Sequence, residues 1–362
     1  MPTITRVLLE SDTPYHFGKR GVGLNATEVA LPADSLFAAF CNVFALTKGA
    51  EALTALLARF PVYGGNAVPP PFRITSLMPT ANGVDLLPMP LIRPKLTNSG
   101  VAARKQLKEI GWVSRAVFSR LTAGEEIGRD PDLVYGAGRQ ELPYTVQGGA
   151  VWVSRSELGQ LGGERAILWT TDIRPRVTVD RMTAASTAFS SGSLHLSQNG
   201  SLKTSLYTLI RWETADAALQ QDVLTVFRIM GEQGIGGERS YGYGSFRPSF
   251  ADVEDDLGAP GGEYFTTLAP YLPQPGERAV FDSHSRYAIV LRRGWMSMPG
   301  HTNLRRPTIR MVDTGAVLRA PSGPVAVGSL ADATPDVLRP ERITVYRYGL
   351  AWPVSVASAA VT

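Results

Sequence analysis

The 362-residue sequence has one cysteine, Cys41, and four histidines, His16, His195, His284 and His301. One thiol builds neither an internal disulfide nor a thiolate metal site. Its place in an apolar helical stretch marks it as a buried structural residue. No histidine stands at metal-ligand spacing from another histidine, the cysteine or a carboxylate. Long hydrophobic runs are missing too. The longest, Leu36 to Leu46, is broken by Asn42 and is too short to span a bilayer. No basic start followed by an apolar run marks a signal peptide, so a soluble, cytoplasmic chain without a membrane partner is expected. No exact repeat and no low-complexity tract is present. An excess of one charge is scarce: 36 Lys and Arg face 32 Asp and Glu, a net +4. That balance permits a polyanionic partner without demanding one.

What is present is the composition of a globular protein, 44% hydrophobic and 19% charged. The length predicts two to three domains. The most informative stretch is Gly231 to Phe246, with six glycines, one arginine and two tyrosines in sixteen residues. Before it, Leu219, Val223, Val226, Phe227 and Met230 have helical spacing, and Thr214 is a candidate N-cap. After the glycines, Tyr241, Tyr243 and Ser245 alternate with Gly242, Gly244 and Phe246, as a strand does. The predicted order is helix, glycine loop, strand. A P-loop needs strand, loop, helix and a Gly-Lys-Ser/Thr ending, whereas Arg239-Ser240 stands here. A dinucleotide fingerprint fails because Arg239 occupies its third glycine position. Two readings stay open: main-chain N–H groups that receive an anion beside Arg239, or a helix C-cap running into a tight turn.

Along the chain, Thr5 to Glu10 reads as a first strand, followed by a turn carrying His16, Lys19 and Arg20. A helix opens at Pro32-Ala-Asp-Ser, with Asp34 or Ser35 as its cap and Leu36, Phe40, Val43 and Phe44 as its apolar stripe. Residues Leu96 to Gly163 look like an insertion with one short helix. Ile167 to Asp180 and Leu206 to Trp212 read as strands, with a hairpin-like segment from Phe189 to Leu196. Asp252 to Gly262 is the expected domain boundary. Beyond it, Tyr287–Leu291, Thr308–Val312, Ala316–Arg319 and Thr344–Leu350 suit strands, with basic clusters at Arg292-Arg293 and Arg305-Arg306. Arginines recur beside glycine or aromatic residues, the pairing that holds phosphate and flat bases. No Gly-x-Ser-x-Gly elbow is present.

Several of these landmarks together resemble one family. They are His16-Phe-Gly, Leu31-Pro-Ala-Asp-Ser-Leu-Phe, Leu86-Leu-Pro-Met-Pro and Val177-Thr-Val-Asp-Arg-Met-Thr. They continue with Gly234-Ile-Gly-Gly-Glu-Arg-Ser-Tyr-Gly-Tyr-Gly, Arg293-Gly-Trp and Val345-Tyr-Arg-Tyr-Gly-Leu-Ala. The chain resembles the repeat-associated (RAMP) proteins of CRISPR systems, and more narrowly the Csm-type subunit that caps the foot of type III-A effector complexes.

The resemblance implies an α+β fold of two ferredoxin-like, RRM-related domains. The first would span residues 1–250 and hold the insertion, a thumb-like hairpin at about 177–205 and the glycine loop at 231–244. The second would span 263–362. It implies a non-catalytic subunit, with no cofactor and no metal, that grips the 5′ repeat-derived tag of the crRNA near the target RNA. Its partners would be the large polymerase/cyclase subunit and the neighbouring backbone RAMP subunit. RNA would meet His16, Lys19, Arg20, Ser35 and Arg176, then Asp180, Arg181, Met182 and Thr183 on the hairpin. On the loop it would meet Gly234, Gly236, Gly237, Arg239, Ser240, Tyr241, Gly242 and Tyr243, and further on Arg305 and Arg306. Two alternatives remain: a RAMP endoribonuclease using His16 or His301 as acid or base, and an assembly protein with an incidental basic surface.

Overall fold

The computed structural model describes residues 3–18, 25–96, 101–137, 140–254, 257, 262–298, 301–321, 327–341 and 343–361. Its centre is a ten-stranded sheet. The first strand, β1 (Ile4–Glu10), pairs antiparallel with Leu202–Trp212 on one side and with Arg247–Val253 on the other. The strand Leu202–Trp212 in turn pairs antiparallel with β2 (Phe72–Ile74) and β3 (Met78–Ala81). Between β1 and β2 runs the helix α1 (Ala33–Lys48), and a second long helix, Ala217–Gln233, precedes the strand Arg247–Val253. The order is therefore β-α-β-β-α-β, with the last strand beside the first. That topology brings the end of β1 next to the loop that follows the second helix.

Apolar spacing explains both helices. Leu36, Phe37, Phe40, Val43 and Phe44 form the buried stripe of α1, and Leu219, Val223, Val226, Phe227 and Met230 that of the second helix. The stripes meet where the rings of Phe40 and Phe227 lie 6.4 Å apart. The helix starts differ from expectation. Asp216, not Thr214, caps the second helix, accepting the Leu219 N–H at 3.0 Å. Neither Asp34 nor Ser35 caps α1; the Pro32 carbonyl accepts the N–H groups of Ser35 and Leu36 there. The expected insertion is also more than loops. Its strand Trp112–Ser114 pairs with β4 (Val84–Pro88), and Val151–Trp152 adds in parallel, so the segment widens the sheet. Trp152 is fully buried and its indole N–H donates to the Leu133 carbonyl at 3.0 Å.

The acidic, glycine-containing stretch after Val253 separates two segments of sequence whose cores merge. Tyr348, Leu350, Trp352 and Val354 pack in the same apolar cluster as Phe37 and Phe72. The Tyr348 hydroxyl accepts the Ile74 N–H at 2.9 Å, and Arg73 reaches the carbonyls of Val327 and Ala351. Residues 262–361 carry short strands, a three-stranded sheet (Val317–Arg319, Tyr264–Thr267, Pro353–Val356) and a long hairpin, Ile289–Met298 with His301–Val312. Among the described residues of this part the only helical pieces are 3₁₀ turns, so the two α-helices of a second ferredoxin-like unit are not seen there.

Asp34, expected as a cap, is instead buried and ion-paired with Arg292 of that hairpin and with Arg347. It locks the C-terminal segment onto α1. Removing one partner of a buried pair strands the other charges. Asp34→Ala is expected to cost about 3–5 kcal/mol in urea denaturation. A loss below about 1 kcal/mol, the range of exposed pairs, would show that the carboxylate is dispensable.

Candidate nucleic-acid interface

Three segments converge at one end of β1: the turn of residues 14–17, the glycine loop and the base of a long hairpin. The hairpin pairs Trp169–Val179 with Ser186–Leu196. It is longer than the segment expected at Phe189 to Leu196, because the arginine-bearing strand Trp169–Val179 is its other half. Its base is pinned to the first turn, where Tyr15 and Leu194 exchange both main-chain hydrogen bonds.

The glycine loop lies on the same turn, main chain against main chain. The Gly237 N–H donates to the His16 carbonyl at 2.9 Å, and the Gly244 N–H to the Pro14 carbonyl at 2.9 Å. A Cβ on Gly236 would lie 2.6 Å from the His16 oxygen, and one on Gly244 2.1 Å from the Ile235 oxygen. The glycines are thus required for close approach. Strand pairing begins only at Arg247. Tyr241 to Phe246, expected as a strand, instead hold the end of a 3₁₀ turn and a bend.

That 3₁₀ turn, Arg239–Tyr241, is flanked by two left-handed residues, Glu238 (φ 60°) and Gly242 (φ 81°). They throw Arg239, Ser240 and Tyr241 outward, and all three side chains are exposed. Beneath them Arg176 braces loop to hairpin. Its guanidinium lies 4.1 Å from the Tyr241 ring centroid and 5.6 Å from that of Tyr243, and pairs with Glu238 at 3.4 Å. Such a stacked, partly desolvated arginine contributes on the order of 1–2 kcal/mol.

The predicted site residues therefore divide. Arg239, Ser240, Tyr241 and Gly242 are presented to solvent, as are Arg181, Met182 and Thr183 at the hairpin tip, with Met182 93% exposed. Asp180, also exposed, shapes the tip. Its carboxylate accepts the N–H groups of Met182 (2.7 Å) and Thr183 (3.2 Å), which hold it below the usual carboxylate range. His16 is buried, its Nδ1 2.7 Å from the Gly192 carbonyl and its ring against Gly237, so the imidazole is a packing group. Gly234 and Tyr243 are buried, and the Gly237 amide and the Arg176 guanidinium are spent on internal bonds. The Ser35 hydroxyl accepts from Arg292. Arg305 and Arg306 belong to a separate element, the C-terminal hairpin. Lys19 and Arg20 lie outside the described residues, as does the side chain of His301. Sequence reasoning missed Glu238 and Gly192. A left-handed glutamate leaves no mark in the sequence, and Gly192 sits unremarkably among serines.

Residues 261–356 match the model of the CRISPR Csm4 C-terminal domain. A protein of Thermococcus onnurineus (strain NA1) described as CRISPR system Cms protein Csm4 is 24% identical over 327 residues, covering 90% of this chain and 91% of that protein. The chain is of the Csm4 type. Its fold is similar to a chain in the crystal structure of a Csm3–Csm4 subcomplex of the type III-A CRISPR-Cas interference complex. That match has a TM-score of 0.65 at 15% identity and covers 97% of this chain and 99% of the other. In this Csm4-type chain the geometry makes a graded prediction. Gly242→Ala places a side chain in open space at φ 81° and is expected to cost about 1–2 kcal/mol. Gly244→Ala adds a main-chain collision and is expected to cost about 1–3 kcal/mol more. Equal urea midpoints for the two variants would contradict the close approach.

Proposed function

We propose that this chain is a non-catalytic, RNA-binding subunit of a type III-A CRISPR (Csm) effector complex. It grips the 5′ repeat-derived tag of the crRNA at the glycine loop, with the hairpin tip reaching the adjoining target RNA. The observation that carries this reading is the outward turn Arg239-Ser240-Tyr241, set on a rigid base. A guanidinium, a hydroxyl and a flat ring on one turn suit a phosphate and an unstacked base. The exposed Arg181 and Met182 offer a cation and a flexible apolar side chain at the hairpin tip. Similarity to a chain of a Csm3–Csm4 subcomplex supports the backbone RAMP subunit as a partner. The large polymerase/cyclase subunit would sit on the other side. We further propose a first ferredoxin-like domain, supported by the β-α-β-β-α-β order with the last strand beside the first.

The endoribonuclease alternative would use His16 or His301 for acid–base chemistry. His16 suits that role poorly, since its Nδ1 is occupied by the Gly192 carbonyl and its ring is buried. Among the described residues no helix is long and apolar enough to cross a membrane, and we place the complex in the cytoplasm.

Single-stranded tag RNA loses about 0.7 in salt slope for each phosphate contact removed. Arg239→Ala is expected to weaken binding of a tag-length RNA and to lower the slope of log affinity against log salt by about that amount. An unchanged affinity across the salt series would rule the loop out as the grip.

A further inference from the structure

The inserted segment carries charge that the glycine-loop region does not use. Between Leu91 and Ile110 the sequence holds five cations, Arg93, Lys95, Arg104, Lys105 and Lys108, against one carboxylate, Glu109. That surplus of four equals the net charge of the whole chain, so the remaining residues balance to zero. Arg93 and Lys95 are exposed, and the other three cations share one helix, Val101–Glu109.

The underside of this helix is fixed. Ala103 is buried and Leu107 packs against the main apolar core. The Gln106 amide donates to the Thr145 hydroxyl at 3.1 Å and to the Pro143 carbonyl at 3.4 Å. Arg104, Lys105 and Lys108 are thereby turned to solvent, and all three are exposed. Residues three and four apart on a helix are neighbours, so Lys108 stands beside both Arg104 and Lys105, and like charges so placed oppose the helix. None of the three makes an ion pair among the described residues, although cations as exposed as Arg59, Arg247 and Arg339 do. Glu141, on the strand Gln140–Pro143 against which the helix packs, is already engaged. An anionic partner would relieve the repulsion.

The chemistry of the face selects the partner. Among its described residues the helix exposes no large apolar side chain. Protein interfaces centre on apolar or aromatic anchors and are depleted in lysine. A phosphate backbone asks only for cations. The face is also remote from the glycine loop. Thr145 lies on the edge strand of the large sheet opposite to Arg247–Val253, six strands along from β1. At about 4.8 Å per strand that separation is about 29 Å.

We propose that Arg104, Lys105 and Lys108 hold the sugar–phosphate backbone of an RNA strand beyond the tag, by charge and without reading its sequence. This remote contact rests on the reading that the chain binds RNA, but not on the glycine loop.

The test uses the full chain with Arg104→Gln, Lys105→Gln and Lys108→Gln combined, since glutamine keeps helix propensity. Two single-stranded RNAs are compared, one of tag length and one that continues past the tag. The triple variant should bind the short RNA as the wild type does. For the longer RNA its slope of log affinity against log salt should fall by about 2, with binding about a hundredfold weaker at about 0.1 M salt. Scrambling the added sequence should change neither value. Arg104→Lys, which keeps the charge, should leave the slope alone. An unchanged slope for the longer RNA overturns the contact. An equal fall for both RNAs overturns a separate site and assigns the three cations to the tag. Loss of a protein subunit from the reconstituted complex, with both slopes unchanged, overturns the phosphate assignment in favour of an acidic protein. If Arg239→Ala leaves the short RNA unaffected while the triple variant still loses the longer one, the glycine-loop reading fails and this contact stands.

Discussion

Backbone packed directly on backbone is the constraint from which the loop region follows. The Ile235 N–H reaches the Gly244 carbonyl at 3.0 Å, and Phe246 and Gly231 close a second bond of 3.0 Å. A side chain on Gly231, Gly234, Gly236 or Gly244 would collide with main-chain oxygen. Glycine accepts the entropy cost of such positions because nothing larger fits. With the main chains in contact, the first turn, the loop and the hairpin base become one rigid platform. Only the residues between the two left-handed hinges stand away from it. Rigidity of this kind is what a recognition surface needs if binding is not to be spent on ordering.

Several arginines among the described residues are already committed, and this sharpens the electrostatics. Arg6 pairs with Asp85 at 2.6 Å, Arg73 with Glu213 at 2.9 Å and Arg176 with Glu238 at 3.4 Å. They hold sheet, core and platform together and add little positive field outside. The surplus of four positive charges in the sequence therefore matters through its distribution. Arg239 and Arg181 project from surface turns, and the Asp34 cluster concentrates one net positive charge in a nearly dry place. Field strength at a surface follows such uncompensated groups more than the total.

The order helix, glycine loop, strand was legible because apolar periodicity and glycine density are local signals, and both long helices lie where the spacing put them. The first strand and parts of Ile289–Met298, His301–Val312 and Val317–Arg319 were readable for the same reason, whereas Tyr264–Thr267 and Pro353–Val356 were not read and Thr344–Leu350 holds only the two-residue strand Tyr346–Arg347. What could not be read depends on distant partners. Asp34 looks like a cap in sequence, and only Arg292 and Arg347, more than 250 residues away, make it the hub of an ion cluster. His16 looks like a site residue until the Gly192 carbonyl is found against it. The short pairings of Trp112–Ser114 and Val151–Trp152 carry no periodicity, so the widening of the sheet was hidden in what looked like loops.

The hairpin from Trp169 to Leu196 is two strands of eleven residues each, held near its base by Tyr15 and braced once more by Arg176. Leu194 stands opposite Thr171, so at roughly 3.3 Å per residue the strand end at Val179 lies about 26 Å from that anchorage. A ribbon of two strands is easily twisted. Turning it by some ten degrees about that anchorage would sweep the tip through about 5 Å. The guanidinium of Arg176, three residues from that strand end, clasps the arm well beyond its anchorage, and loosening it would free the whole length between the two.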